Sequence, residues 1–238
     1  MRLRRPVSSR IVLPSVVAVL VLVNLAENGR LPSLGLANAV IAILLLSLMV
    51  WWAGGTRDDV GLGRGTLWRG AQWASALVGI VAAVYLIGAL LPFTRELFSD
   101  SRTRHLAGGE VALRMFVKVP LGTVLLEEYA FRGVLYGLIR RSRGVLASTA
   151  VSSVLFGLWH VLPSLSLATE KPALTAVFGH APTGAVVADI GAVLFTAAAG
   201  VLFCELRRRS DSLLAPIGLH WATNALGYLA AFVLARTR

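Results

Sequence analysis

The chain has 238 residues, 56% of them hydrophobic and only 15% charged, with a mean hydropathy of +0.74. That balance excludes an ordinary soluble domain and points to an all-α, polytopic transmembrane helix bundle, one membrane domain over 1–238. The net charge of +11 does not signal nucleic acid, because the arginines gather at the ends of apolar runs, where they suit anionic lipid and topology.

A hydrocarbon core of about 30 Å takes roughly 20 apolar residues per helical crossing. About seven such spans follow one another, near 11–26, 34–53, 73–93, 111–139, 145–162, 185–204 and 213–234. The first follows MRLRRPVSSR and is read as a retained span rather than a signal peptide, since no clear small-residue cleavage site follows it. Between the second and third lies TRDDVGLGRGTLWRG, whose glycines and scattered apolar residues fit either an ordered loop or an amphipathic helix at the interface. The fourth span is longer than a bilayer requires and is expected to tilt or to begin outside the core.

Every second connection is rich in arginine. Arg2, Arg4, Arg5 and Arg10 precede the first span; Arg57, Arg64 and Arg69 separate the second from the third; Arg140, Arg141 and Arg143 follow the fourth; and Arg207, Arg208 and Arg209 follow the sixth. The alternate connections are poor in charge or balanced. The positive-inside rule then puts the N-terminus in the cytoplasm and the C-terminus outside, in a multi-pass protein of the cell membrane. Cys204 is the only cysteine, which excludes an internal disulfide and a cysteine metal cluster.

A charge at mid-membrane costs at least about 2.5–3.5 kcal/mol on insertion scales, so polar residues inside the spans need partners or a wet cavity. In LLEEYAFRG, Glu127 and Glu128 point about 100° apart on a helix. Arg132 stands four residues after Glu128, the favourable order for an ion pair, which leaves Glu127 facing elsewhere. In FGLWHVLP of the fifth span, Phe156 and His160 share a face. In GLHWATNALG of the seventh, His220 and Asn224 share a face, and both can donate hydrogen bonds. Asp189, Lys118 and Arg114 lie where they reach water or snorkel, and they receive no role. Neither H-E-x-x-H nor G-x-S-x-G occurs.

At about 1.5 Å per residue, Glu127, His160 and Asn224 lie roughly 20, 24 and 16 Å from the arginine-rich ends of their spans, so they can meet inside the bilayer. One carboxylate, two histidines and an asparagine on three apolar spans can activate a water and hold an oxyanion. Glu127, assisted by His160, is read as the general base, and His220 with Asn224 as donors to the developing oxyanion, all strengthened by the low dielectric.

These residues resemble the CAAX protease and bacteriocin-processing (CPBP) family of intramembrane proteases. Glu127, Glu128 and Arg132 match E-E-x-x-x-R, Phe156 and His160 match F-x-x-x-H, and His220 and Asn224 match H-x-x-x-N, in that order on separate spans between Leu113 and Leu229. The resemblance implies a helical bundle with a polar cavity open toward the membrane and a catalytic core at 111–234. It also implies endopeptidase activity, with Glu127 and His160 at the water, His220 and Asn224 at the oxyanion, and Glu128, Arg132 and Phe156 as structural support. Members of the family have been described both as metal-dependent and as glutamate-dependent. Glu127, His160 and His220 would suit a zinc ion with an open fourth position. The metal-free reading is preferred, because it gives Glu127 a base's role and because Asn224 is a poor zinc ligand. The partners expected are membrane lipids and a peptide or membrane-protein substrate, with no nucleic acid. A non-catalytic immunity or scaffolding protein of the same fold would have no need for the intact set of four. A small proton-coupled transporter would call for inverted repeats and broken helices, neither of which is clear in the sequence.

Overall fold

The computed structural model describes residues 7–29, 35–98, 100, 103, 105–165 and 182–236, and among them every extended element is helical. Helix α1 (Ser9–Asn28) begins at Ser8, whose Oγ accepts from the Arg10 backbone N–H. Helix α2 (Gly35–Trp52) buries Ala39, Ala42, Leu46 and Val50, a three-and-four spacing that makes one seam. Helix α3 (Leu67–Leu90) follows a run of turns and a single 3₁₀ turn, Arg64–Thr66. TRDDVGLGRGTLWRG is therefore an ordered loop leading into α3, not a surface helix.

The next helical run is built in pieces. Helix α4 (Gly108–Leu113) passes into a π-helical stretch, Arg114–Val124. A short α5 (Leu125–Glu128), a second π-helical stretch (Tyr129–Leu135), α6 (Tyr136–Trp159) and α7 (Val161–Ser164) complete it. Pro120 explains part of the widening: it has no N–H to give, and the Leu125 N–H reaches back five residues to the Pro120 carbonyl. Loosened turns leave carbonyls for neighbours. Trp221 Nε1 donates to the Met115 carbonyl at 2.9 Å, and Ser152 Oγ to the Phe131 carbonyl at 2.8 Å. Two long helices finish the chain, α8 (Pro182–Ser210) and α9 (Leu214–Arg236).

Among the described residues, six helical runs are long and apolar enough to cross a membrane. The fourth, Gly108–Ser164, has 57 residues, far more than one crossing needs. It folds back at Gly144, where φ is 79° and ψ −176°. Contacts between the limbs pair residues symmetrically about this point, Ser152 with Phe131 and Trp159 with Glu127. The expected fourth and fifth spans are thus the two limbs of one hairpin, which is how seven expected crossings fall within six runs. The expected third span also shifts, beginning at Leu67 and ending at Leu90.

Gly144 sits in a backbone region essentially closed to side chains, yet a Cβ there would meet nothing within 4 Å. Gly144→Ala is therefore expected to lower stability by about 1–3 kcal/mol through the backbone alone, read by thermal unfolding in detergent. An unchanged midpoint would mean that the hairpin turn relaxes at no cost.

Packing between limbs uses small residues, as membrane bundles do. A Cβ on Gly157 of α6 would come within 2.8 Å of the Ala197 Cβ and 2.9 Å of the Val193 carbonyl, so α8 lies directly against the second limb. The main buried cluster joins Val12, Val16 and Leu20 of α1 to Phe131, Val134, Leu135, Phe156, Trp159 and Phe203. Outer faces carry bare apolar side chains instead; Leu146 is 84% exposed and Phe195 74%. Such faces suit acyl chains.

Three of the arginine-rich connections meet at one end of the bundle; Arg2, Arg4 and Arg5 lie outside the described residues. Arg69 pairs with Asp211 at 2.5 Å and Arg141 with Asp59 at 3.5 Å, while Arg207 Nη2 donates to the Asp58 and Asp59 carbonyls. The Leu213 N–H closes the same end on the Gly61 carbonyl.

Candidate active site

The site lies well along the hairpin from its arginine-bearing tip, between the first limb, the end of α6, α8 and α9. Glu127 and Glu128 close the short α5, with π-helical turns on either side. Both carboxylates are buried, Glu128 completely.

Glu128 is the hub. Its Oε1 accepts from Arg132 Nη1 at 3.3 Å and from His220 Nδ1 at 2.7 Å. The i,i+4 pair expected from the sequence forms, and Arg132 has no exposed side-chain surface. A guanidinium so deeply placed needs more than one hydrogen bond. It also lies over the rings of Phe156, 3.9 Å away, and Phe203, 4.7 Å away, where each ring's quadrupole attracts it. Arg132 Nε and Nη2 and Glu128 Oε2 are buried with no hydrogen-bond partner among the described residues.

His220 is held on several sides. Because a carboxylate only accepts, a hydrogen on Nδ1 points to Glu128. Phe203 stacks on the imidazole at 5.4 Å and 20°, and Phe156 meets it edge-on at 6.2 Å. The remaining ring nitrogen, Nε2, faces Glu127 Oε2 at 3.8 Å. That is too long for a direct hydrogen bond.

Glu127 is anchored through its other oxygen. Trp159 Nε1 donates to Oε1 at 3.0 Å, while Oε2 has no partner among the described residues. The carboxylate is thus fixed by one oxygen and free at the other. Trp159 is held in turn by Asn24 of α1, whose Nδ2 donates to the Trp159 carbonyl at 2.9 Å, and by an edge contact with Phe131. One turn beyond Asn24, Glu27 Oε1 is also buried without a partner among the described residues. Trp159→Phe keeps an aromatic ring against Phe131 and removes the indole donor together with part of the ring volume. It is expected to cost about 1–3 kcal/mol in thermal unfolding, because Glu127 Oε1 is left buried and unpaired.

His160 terminates α6, and its Nδ1 lies 2.8 Å from the Phe156 carbonyl. Its ring meets the Phe156 ring edge-on at 4.6 Å, so Phe156 separates it from His220. Asn224 follows His220 by one turn of α9; it is half-buried, and its side chain bonds to none of the described residues. The structure therefore brings Glu127, Glu128, Arg132, Phe156 and His220 into one connected group. His160 flanks that group through Phe156, and Asn224 borders it along α9. The sequence reading did not single out Trp159, Phe203 or Asn24. The signal available for Trp159 was an indole donor beside His160 in an otherwise apolar span.

Glu127, His160 and His220 are the side chains that the sequence offers to a zinc ion. Among the described residues no three His, Cys, Asp or Glu side chains are grouped as a metal ion requires. His220 Nδ1 is committed to Glu128, and His160 Nδ1 sits against a carbonyl. Both contacts leave Nε2 as the ring nitrogen a metal ion would take, as in histidine ligands whose other nitrogen is hydrogen-bonded.

In comparison with known proteins, residues 109–226 match a family model described as type II CAAX prenyl endopeptidase, Rce1-like. A search of curated proteins and a search of solved structures each returned no match. The matched segment contains Glu127, Glu128, Arg132, Phe156, His160, His220 and Asn224, and over it the chain belongs to the Rce1-like family of CAAX endopeptidases.

Proposed function

We propose that this protein is an intramembrane endopeptidase in which Glu127 activates water against a substrate peptide bond. The observation that carries this reading is the asymmetry of Glu127: one oxygen is fixed by Trp159 and the other is free, 3.8 Å from an imidazole that Glu128 holds in place. A water touching Glu127 Oε2 gives a proton to that oxygen as its own oxygen attacks the carbonyl carbon. The carbonyl π electrons pass to the substrate oxygen. With its Nδ1–H held by Glu128, His220 donates to that oxyanion from Nε2 as the imidazolium, protonated at both ring nitrogens, and the Asn224 amide hydrogens donate beside it. The C–N bond then breaks, and Glu127 returns its proton to the leaving amine. His160, beside Phe156, assists the water. Glu128 and Arg132 keep His220 oriented and do not touch the reacting atoms.

The reaction as written runs on side chains alone. Hydrolysis is expected to survive dialysis against a strong chelator, measured as the rate of peptide release. Loss of activity that zinc restores would overturn the metal-free assignment.

The matched family is one of CAAX prenyl endopeptidases, so a prenylated CAAX peptide is the first substrate to offer. Purified protein in lipid vesicles is expected to release the C-terminal tripeptide, and an unprenylated control peptide to be cut more slowly. Absence of cleavage of any membrane-anchored peptide would refute the assignment. The arginine-rich end is assigned to the cytoplasm of the cell, on the positive-inside rule.

A further inference from the structure

A cavity of about 510 Å³ opens at the arginine-rich end of the bundle, away from Glu127. Asp58, Asp59, Arg140, Arg141, Arg207 and Asp211 line it, drawn from the loop before α3, the tip of the hairpin and the end of α8. Its charges are not internally matched. Asp211 is taken by Arg69 at 2.5 Å. Asp59 is taken by Arg141 at 3.5 Å and by the Thr56 N–H and hydroxyl at 2.8 and 2.9 Å. Arg140 and Arg207 have no carboxylate partner among the described residues, and neither has Asp58 a cation.

Arg207 makes the imbalance informative. It is only 2% exposed, its Nη2 donates to two backbone carbonyls at 3.0 and 3.1 Å, and its Nε is buried with no partner among the described residues. A buried guanidinium with no carboxylate in direct contact is costly, and a phosphate is the ligand its planar fork fits. Asp58 beside it asks for a hydrogen-bond donor rather than a second anion. The location supplies such a molecule. The helices end here, and Trp68, two residues after the cavity-lining Thr66, is 75% exposed, as an aromatic at a membrane–water interface is.

We propose that this cavity binds a phospholipid headgroup that carries a phosphate and a neighbouring hydroxyl or ammonium donor, such as phosphoglycerol or phosphoethanolamine. The phosphate sits between Arg140 and Arg207, and the donor faces Asp58. The proposal is independent of the peptidase reading, because no residue of the cavity belongs to the Glu127 group.

The test is thermal unfolding of the full-length protein in detergent, titrated separately with short-chain phosphatidylglycerol, phosphatidylethanolamine, phosphatidylcholine and inorganic phosphate. The first two are expected to raise the midpoint by roughly 5–10 °C when present at about 100 times their dissociation constant. Phosphatidylcholine, which keeps the phosphate but lacks the donor, and inorganic phosphate are expected to bind about tenfold more weakly or worse, and so to move it less at the same concentration. Arg140→Gln, at an exposed position, should weaken binding about tenfold, the loss of one charge-assisted hydrogen bond. Asp58→Asn should erase the preference over phosphatidylcholine. Arg207→Gln should also weaken binding, and Arg140→Gln decides the matter if that variant does not fold. An equal response to all three lipids would mean ordinary solvation by lipid and would overturn the site. A response to inorganic phosphate alone would make the ligand a soluble phosphate. No response to any lipid, or unchanged affinity in Arg140→Gln, would also refute the proposal.

Discussion

Glu127→Gln is expected to slow peptide-bond cleavage by about 10²–10⁴-fold, the usual contribution of a general base, while the protein inserts and unfolds as the parent does. The substitution preserves shape. A glutamine Oε1 still accepts from Trp159 Nε1, now 3.0 Å from Glu127 Oε1, so the anchor to α6 survives. What disappears is the free oxygen's ability to take a proton from water, and with it one of two buried negative charges on adjacent residues. Removing that charge relieves repulsion with Glu128, so stability should hold or rise slightly. The loss should fall on kcat with KM nearly unchanged, because the interaction is made in the transition state. A variant that still cleaves at the parental rate would assign the base elsewhere, and His160 would be the next side chain to remove. A variant that loses fold and activity together would reduce Glu127 to a structural role.

Much of this site was legible in the sequence because membranes make polar residues conspicuous. Glu128 and Arg132 could be paired from their spacing alone, and they are paired. Phe156 and His160 could be put on one face, and they touch. Other features depend on tertiary packing and leave no polar mark. Phe203 lies in an apolar run of α8 like its neighbours, and only the approach of α8 to α9 turns it into the surface on which His220 stacks. Trp159 reads as core, yet its single N–H fixes Glu127. Asn24 sits near the end of α1, where polar residues are ordinary, and its partner is 135 positions away. The π-helical turns are likewise invisible to apolar periodicity. Pro120 hinted at one of them, and nothing local hinted at the turns after Glu128. The hairpin at Gly144 was read as a connection between spans, and it is a single abrupt residue inside a continuous helical run.

Arg132→Met is expected to destabilise the protein by about 3–5 kcal/mol and to lower its yield, the range for breaking a buried ion pair from one side. The arginine has no exposed side-chain surface, and neither has Glu128, so no water can replace the lost partner. Methionine fills much of the volume against Phe156 and Phe203, but it removes a cation seated 3.9 Å from one ring and 4.7 Å from the other. The cost is therefore electrostatic more than steric. Glu128 is left sharing its charge with His220 alone, through the 2.7 Å contact at Nδ1. Activity should fall as well, because the imidazole then answers to an uncompensated carboxylate. A double variant separates these effects. Glu128→Gln with Arg132→Met removes both charges at once, and it should recover most of the lost stability, since the two residues are coupled through one contact. It should not recover full activity, because a glutamine holds His220 Nδ1 less firmly than a carboxylate does. If Arg132→Met unfolds at the parental temperature, the ion pair contributes nothing. If the double variant is no more stable than the single one, Arg132 acts through the aromatic rings rather than through Glu128.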